Sequence, residues 1–153
     1  MAFHIDAIGW KILHLLQENA RLSYRQIGEA VGLTPPAVAE RVRRLEDEGI
    51  LKGYHAEVDY AKAGLHVLAY IHLTNNAQQS IRFRKAVPEM PEVVDCHCVT
   101  GSESFILKVA VNFVPRLEHL LMELTAYGEV RTSVVLSSHV TRRTINEATI
   151  IGE

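Results

Sequence analysis

SYRQIGEAVGLTPPAVAERVRRLEDEG, residues 23–49, carries two helix starts and two helix stops. Ser23-Tyr24-Arg25-Gln26 is a capping-box pattern, in which Ser accepts from the backbone and Gln reaches back to the cap. Ile27, Ala30 and Val31 form an apolar stripe, and Gly32 stops the helix because glycine takes a left-handed conformation cheaply. Thr34 is a suitable N-cap for the next helix. Pro35 suits the first helical position, where no N–H is needed. Val38, Val42 and Leu45 then fall on one face until Gly49. Two helices separated by a short glycine turn read as a helix-turn-helix.

On the N-terminal side, Ile5, Ile8, Ile12, Leu15 and Leu16 recur at helical spacing, with Asp6 as cap. On the C-terminal side, residues 50–58 read as a short β-hairpin with Gly53 near its turn. The expectation is a winged helix-turn-helix over residues 1–58, followed by a linker over 59–64.

Residues 65–153 have a different rhythm. Strands are expected at 65–74, 93–100, 105–112 and 130–141. Helices are expected at 80–87 and around Leu117, Leu120, Leu121 and Leu124. The order βαββαβ is the ferredoxin-like arrangement, so the fold class is α+β. Both helices would cover one face of the sheet. Apolar residues on the other face would need a partner, and self-association is the simplest one.

Hydrophobic residues make up 48% of the 153-residue chain and charged residues 22%, with a net charge of −2. No apolar run is long enough to cross a bilayer, so no membrane role is expected. Met1-Ala2-Phe3-His4 lacks the features of a signal peptide, which makes a cytoplasmic location the default. Residues 1–60 hold seven Lys or Arg against nine Asp or Glu. A DNA-binding domain is usually basic, so affinity would have to come from the cluster Arg41, Arg43 and Arg44 and from several copies acting together.

A major groove admits the N-terminal part of a recognition helix first, which points to Thr34, Pro36, Ala37, Glu40, Arg41 and Arg44. Arg can take guanine bidentately, and Glu can accept from cytosine. Ser23, Tyr24 and Arg25 open the preceding helix, whose amides would approach a phosphate. Lys52 on the expected wing could touch the backbone. The plainer alternative is a three-helix domain with a solvated charged face. The caps, the glycine turn and the wing together favour the DNA reading. Double-stranded DNA is the expected partner.

Cys96-His97-Cys98 lacks the second ligand pair of a zinc site, so two small buried strand residues are expected there, and neither metal nor cofactor. Thr100-Gly101-Ser102-Glu103-Ser104 is a polar turn offering amides, hydroxyls and one carboxylate. No catalytic constellation is present in the sequence, so no enzyme activity is expected.

The run Val38-Ala39-Glu40-Arg41-Val42-Arg43-Arg44-Leu45-Glu46 through Gly49-Ile50-Leu51 and Gly53-Tyr54 resembles the Lrp/AsnC, or feast/famine, family of transcription regulators. Ile5-Asp6, Ile8, Ile12-Leu13, Gln17, Asn19-Ala20-Arg21 and Val31-Gly32-Leu33-Thr34 extend the resemblance over essentially the whole chain. It implies a winged helix-turn-helix joined to a ferredoxin-like effector and oligomerisation domain. It also implies dimers made through the sheets and assembly to octamers, with a nucleoid-associated role. An amino-acid effector would bind at a turn similar to Thr100–Ser104. Two departures stand out. Gly9 replaces a frequent second Asp. The turn ends in Ser104 where the family often has Asp, which removes a carboxylate suited to a ligand's ammonium. Two roles therefore stay open: a regulator modulated by an amino acid, and a DNA-architectural protein without an effector.

Overall fold

A computed structural model describes residues 4–150. Six α-helices and four strands are formed among them: α1 (Ala7–Glu18), α2 (Tyr24–Val31), α3 (Pro35–Asp47), β1 (Val67–Thr74), α4 (Ala77–Ala86), β2 (Val93–Cys98), β3 (Phe105–Val111), α5 (Val114–Leu124), β4 (Glu129–Val134) and α6 (Glu147–Ile150). The chain divides into two compact units. One runs to Glu57 and includes the residues from Val140 onward, and the other is Val58–His139.

In the first unit, Ile12, Leu13, Leu16, Ile27, Val38, Val42 and Leu45 form one buried cluster. Burying a side chain of this size contributes roughly 1.5–3 kcal/mol, which is what holds three short helices together. The helix ends follow local chemistry. Asp6 caps α1 by accepting the Gly9 N–H at 2.7 Å. Ser23 and Gln26 complete the capping box of α2. Gly32 takes φ 73°, and the Leu33 N–H reaches back to the Gly28 carbonyl at 2.9 Å. Thr34 stands at the cap of α3, but its side chain makes no capping bond. Beyond α3, the Ile50 N–H donates to Leu45 O and the Gly49 N–H to Glu46 O, the paired bonds of a Schellman stop.

The expected wing hairpin is not formed. Residues 52–59 are exposed and carry no strand pairing. A lone two-stranded ribbon is marginal in water, and residues 52–59 all stay exposed rather than burying a face. The 59–64 stretch, expected as a linker, groups with the second unit. It folds into a turn in which the Lys62 and Ala63 N–H groups both donate to Asp59.

The second unit is a four-stranded antiparallel sheet in the order β2-β3-β1-β4, the ferredoxin-like topology. Ala69, Ile71 and Leu73 of β1 and Phe105, Leu107 and Val109 of β3 pack with Phe83 of α4 and with Leu117, Leu120 and Leu124 of α5. The opposite face carries Leu68, Tyr70 and His72 beside Ile106 and Lys108, with Arg131 and Ser133 across from β1. No helix of this unit covers it.

Three further expectations are corrected. The last strand stops at Val134 instead of 141. As an edge strand it pairs only with β1, and Val135 makes the final bond, to Leu68 O. Residues 140–150 belong with the first unit rather than the second. Gln17 grips that tail at both ends of its amide, donating to Ile145 O at 2.9 Å and accepting the Ile145 N–H at 3.0 Å. Cys98 is exposed and Cys96 only half-buried, because β2 is also an edge strand. Among the described residues, no three His, Cys, Asp or Glu side chains gather as a metal site.

Candidate nucleic-acid interface and effector turn

The starts of α2 and α3 lie on the surface of the first unit. Ser23, Tyr24 and Arg25 are exposed, as are Thr34, Pro36, Glu40 and Arg44, while Ala37 is half-buried. Each helix start presents N–H groups with no partner inside its own helix, which gives it partial positive charge. Val38, Val42 and Leu45 are buried on the opposite side of α3 and fix which face it shows outward.

The outward face is laced by ion pairs. Arg43 donates to Glu40 at 3.0 Å and lies 3.5 Å from Asp47. Arg43 lowers the Glu40 carboxyl below its ordinary range, so Glu40 is an acceptor at neutral pH. Arg25 pairs with Glu29 one turn along α2. Such exposed pairs are weak, and a phosphate or base can displace them. Lys52 is exposed on the unpaired segment after α3.

Arg41 is placed differently from the other arginines. Its Nη1 donates to both carboxylate oxygens of Asp6 at 2.9 Å, and its side chain is 35% exposed, against 81% for Arg25. Tyr54 was not singled out as a site residue. Its hydroxyl donates to Glu46 Oε1 at 2.9 Å and closes a cleft of about 330 Å³ lined also by Ser23, Tyr24 and Leu22. Partial desolvation and then the Glu46 carboxylate push the Tyr54 phenol up to about 12.

In the second unit the turn Thr100–Ser104 joins β2 to β3. Thr100, Gly101 and Ser102 are exposed; Glu103 and Ser104 are half-buried. Ser104 is tied inward: its Oγ accepts the Asn75 N–H and donates to Asn75 O, both at 3.1 Å. Glu103 accepts from Ser102 Oγ at 2.8 Å and pairs with Arg131 on β4. The Ser102 hydroxyl first, and the Arg131 charge further on, lower the Glu103 carboxyl. Asn75 also accepts from Ser80 at the start of α4. Its Nδ2 is buried without a partner, and so is Nδ1 of His72. Asn75, Ser80, His72 and Arg131 were missed because the cross-strand register that gathers them is invisible in a linear pattern. Only the Asn76/Gln79 capping box beside them is a local signal.

Known families match both units. A model of the AsnC-type helix-turn-helix domain matches residues 5–46, and one of the Lrp/AsnC ligand binding domain matches residues 67–145. The chain belongs to the Lrp/AsnC family. It is a DNA-binding transcriptional regulator with a ligand-binding domain. The HTH-type transcriptional regulator LrpB of Bacillus subtilis is 37% identical over 124 residues, 81% of this chain and 83% of the relative. The leucine-responsive regulatory protein of Escherichia coli K12 is 35% identical over 139 residues, 86% of this chain and 85% of the relative. Among solved structures, LrpC of Bacillus subtilis superposes with TM-score 0.87 at 31% identity, over 92% of this chain and 100% of the other. A Neisseria meningitidis transcriptional regulator in complex with L-Met gives TM-score 0.88 at 25% identity, over 97% of this chain and 100% of the other.

Proposed function

We propose that this Lrp/AsnC regulator reads duplex DNA through the exposed starts of α2 and α3 and does so as a multimer. The observation that carries this is the outward face of α3, where Pro36, Glu40 and Arg44 stand exposed beside Ser23, Tyr24 and Arg25 of α2, opposite a fully buried Val38, Val42 and Leu45. Thr34, Ala37 and Lys52 would add contacts to backbone or bases. The sheet face bearing Leu68, Tyr70, His72 and Ile106 fits a second copy, because its apolar side chains are left uncovered by the helices of the unit. Assembly would proceed from dimers towards octamers, bending or wrapping the DNA.

The turn Thr100–Ser104 is the proposed effector site, and the proposed ligand is an amino acid. Support comes from the matched ligand-binding domain and from the L-Met bound by the Neisseria regulator. One observation favours the second reading, a DNA-architectural protein without effector. Ser104 and Glu103, one of the turn's hydroxyls and its carboxylate, are already engaged by Asn75, Ser102 and Arg131. On either reading the protein works by binding rather than catalysis, in the cytoplasm and on the nucleoid.

Sedimentation and DNA binding of the purified chain, each with and without an amino-acid mixture, separate the two. A shift in oligomer size or DNA affinity on adding the mixture supports the effector reading. Identical behaviour supports the architectural one. A monomer at every concentration contradicts the multimer.

A further inference from the structure

We propose that Arg41 is a positioning residue: its bond to Asp6 sets the angle at which α3 is presented to DNA, and it does not itself read a base or phosphate. The inference rests on the reading that α3 enters the groove.

Arg41 lies on the helix face between the buried stripe and the outward face. Its guanidinium turns towards the start of α1, not outward. Asp6 is engaged twice there, as the cap accepting the Gly9 N–H and as the acceptor of Arg41 through both oxygens. The two residues are 35 positions apart, so the bond joins separate helices and is no local helix pair. Gly9 makes room for it. A Cβ on Gly9 would stand 2.9 Å from Ile5 Cγ2 and 3.1 Å from Asp6 Oδ1, so both side chains would have to give by a few tenths of an ångström. The cleft around the pair, about 210 Å³, is walled by His4, Ile5, Arg44 and Leu45, so the strut spans the gap between α1 and α3. The apolar core fixes how closely the helices pack. A directional charge-assisted bond at the edge of that core fixes rotation about the α3 axis, on which the aim of Pro36, Glu40 and Arg44 depends.

The test is sign-based. A DNA-contacting Arg41 would be held back by Asp6, and Asp6→Asn would release it and tighten binding. A positioning Arg41 loses its anchor in Asp6→Asn, and binding weakens. Asn is itself a good N-cap, so the start of α1 survives the change. Apparent Kd is measured across a salt series on a fragment bound by the unaltered protein, for Asp6→Asn, Arg41→Met, Arg41→Lys and the Asp6→Asn/Arg41→Met double variant. Thermal melts confirm that each is folded at the assay temperature. We expect each of Asp6→Asn and Arg41→Met to weaken binding by about tenfold, with the double variant no weaker than either and Arg41→Lys partly restoring affinity. The slope of log K against log salt stays unchanged. Tighter or unaltered binding by Asp6→Asn overturns the proposal. So does a slope reduced by about one in Arg41→Met, the mark of a lost phosphate contact. Glu40→Ala serves as the separate check on α3. If it leaves affinity and sequence preference untouched, the groove reading of α3 fails, whatever the Asp6 and Arg41 variants do.

Discussion

Gly28 is buried in α2 where a side chain would meet the backbone: an added Cβ would lie 2.4 Å from the Leu33 carbonyl oxygen. The turn of the helix-turn-helix is closed by this approach, so the position tolerates no Cβ although it lies mid-helix. Gly28→Ala should destabilise the first unit by roughly 1–3 kcal/mol, the usual cost of overpacking. Thermal melting checks it, and an unchanged midpoint would contradict the tight turn. Asp6 gives a pH prediction. The Gly9 N–H first and Arg41 second lower its carboxyl below the ordinary value of 3.8. A carboxyl lowered on folding contributes stability that is present above 3.8 and lost as pH falls through the lowered value. Acid titration of stability should therefore show a smaller loss in Asp6→Asn than in the unaltered chain below about pH 4. Tyr54 has the opposite sign: its phenol is raised to about 12, so its contribution holds below 10 and fades as pH rises through 12. Tyr54→Phe should remove the highest-pH step from the tyrosine absorbance titration.

The caps of α2 and the start of α3 were legible in the sequence, whereas α4 begins at Ala77 rather than 80 and β4 ends at Val134 rather than 141. Ser23/Gln26 and Gly32 act within a few residues of themselves, so a linear pattern contains them. The end of β4 is set by where its partner β1 runs out, which no local pattern records. The wing failed as an expectation for the same reason: alternation along residues 50–58 says nothing about whether a surface lies beneath. Ser23→Ala should lower the stability of the first unit by about 1 kcal/mol through loss of its cap. The tail containing α6 was also illegible. Its docking depends on a glutamine amide facing backbone groups 128 positions away. It borders a cleft of about 440 Å³ lined by Trp10, His14, Leu15 and Val31. Amide hydrogen exchange at Ile145 should quicken in Gln17→Ala, while the amides of β1 and β3 keep their protection.

At the scale of the whole molecule, charge argues against a strong single-site contact. The first 60 residues carry more acid than base, and Arg43, one of the three arginines on α3, is paired with acid on the same helix. On the proposed reading affinity accumulates over copies, and the sheet face left open in the second unit would supply the surface for it. The turn Thr100–Ser104 lies between β2 and β3, where the strand pattern put it, but its engaged Ser104 and Glu103 could be seen only once Asn75 and Arg131 were brought beside it. Footprinting of the full chain on promoter-length DNA tests the multivalent reading most directly. Protection of several sites spaced by about one helical turn or its multiples, 10–10.5 bp, is predicted, with enhanced cleavage between them where the duplex bends. Protection of one short isolated site, or none at the protein concentration where oligomers form, would contradict it.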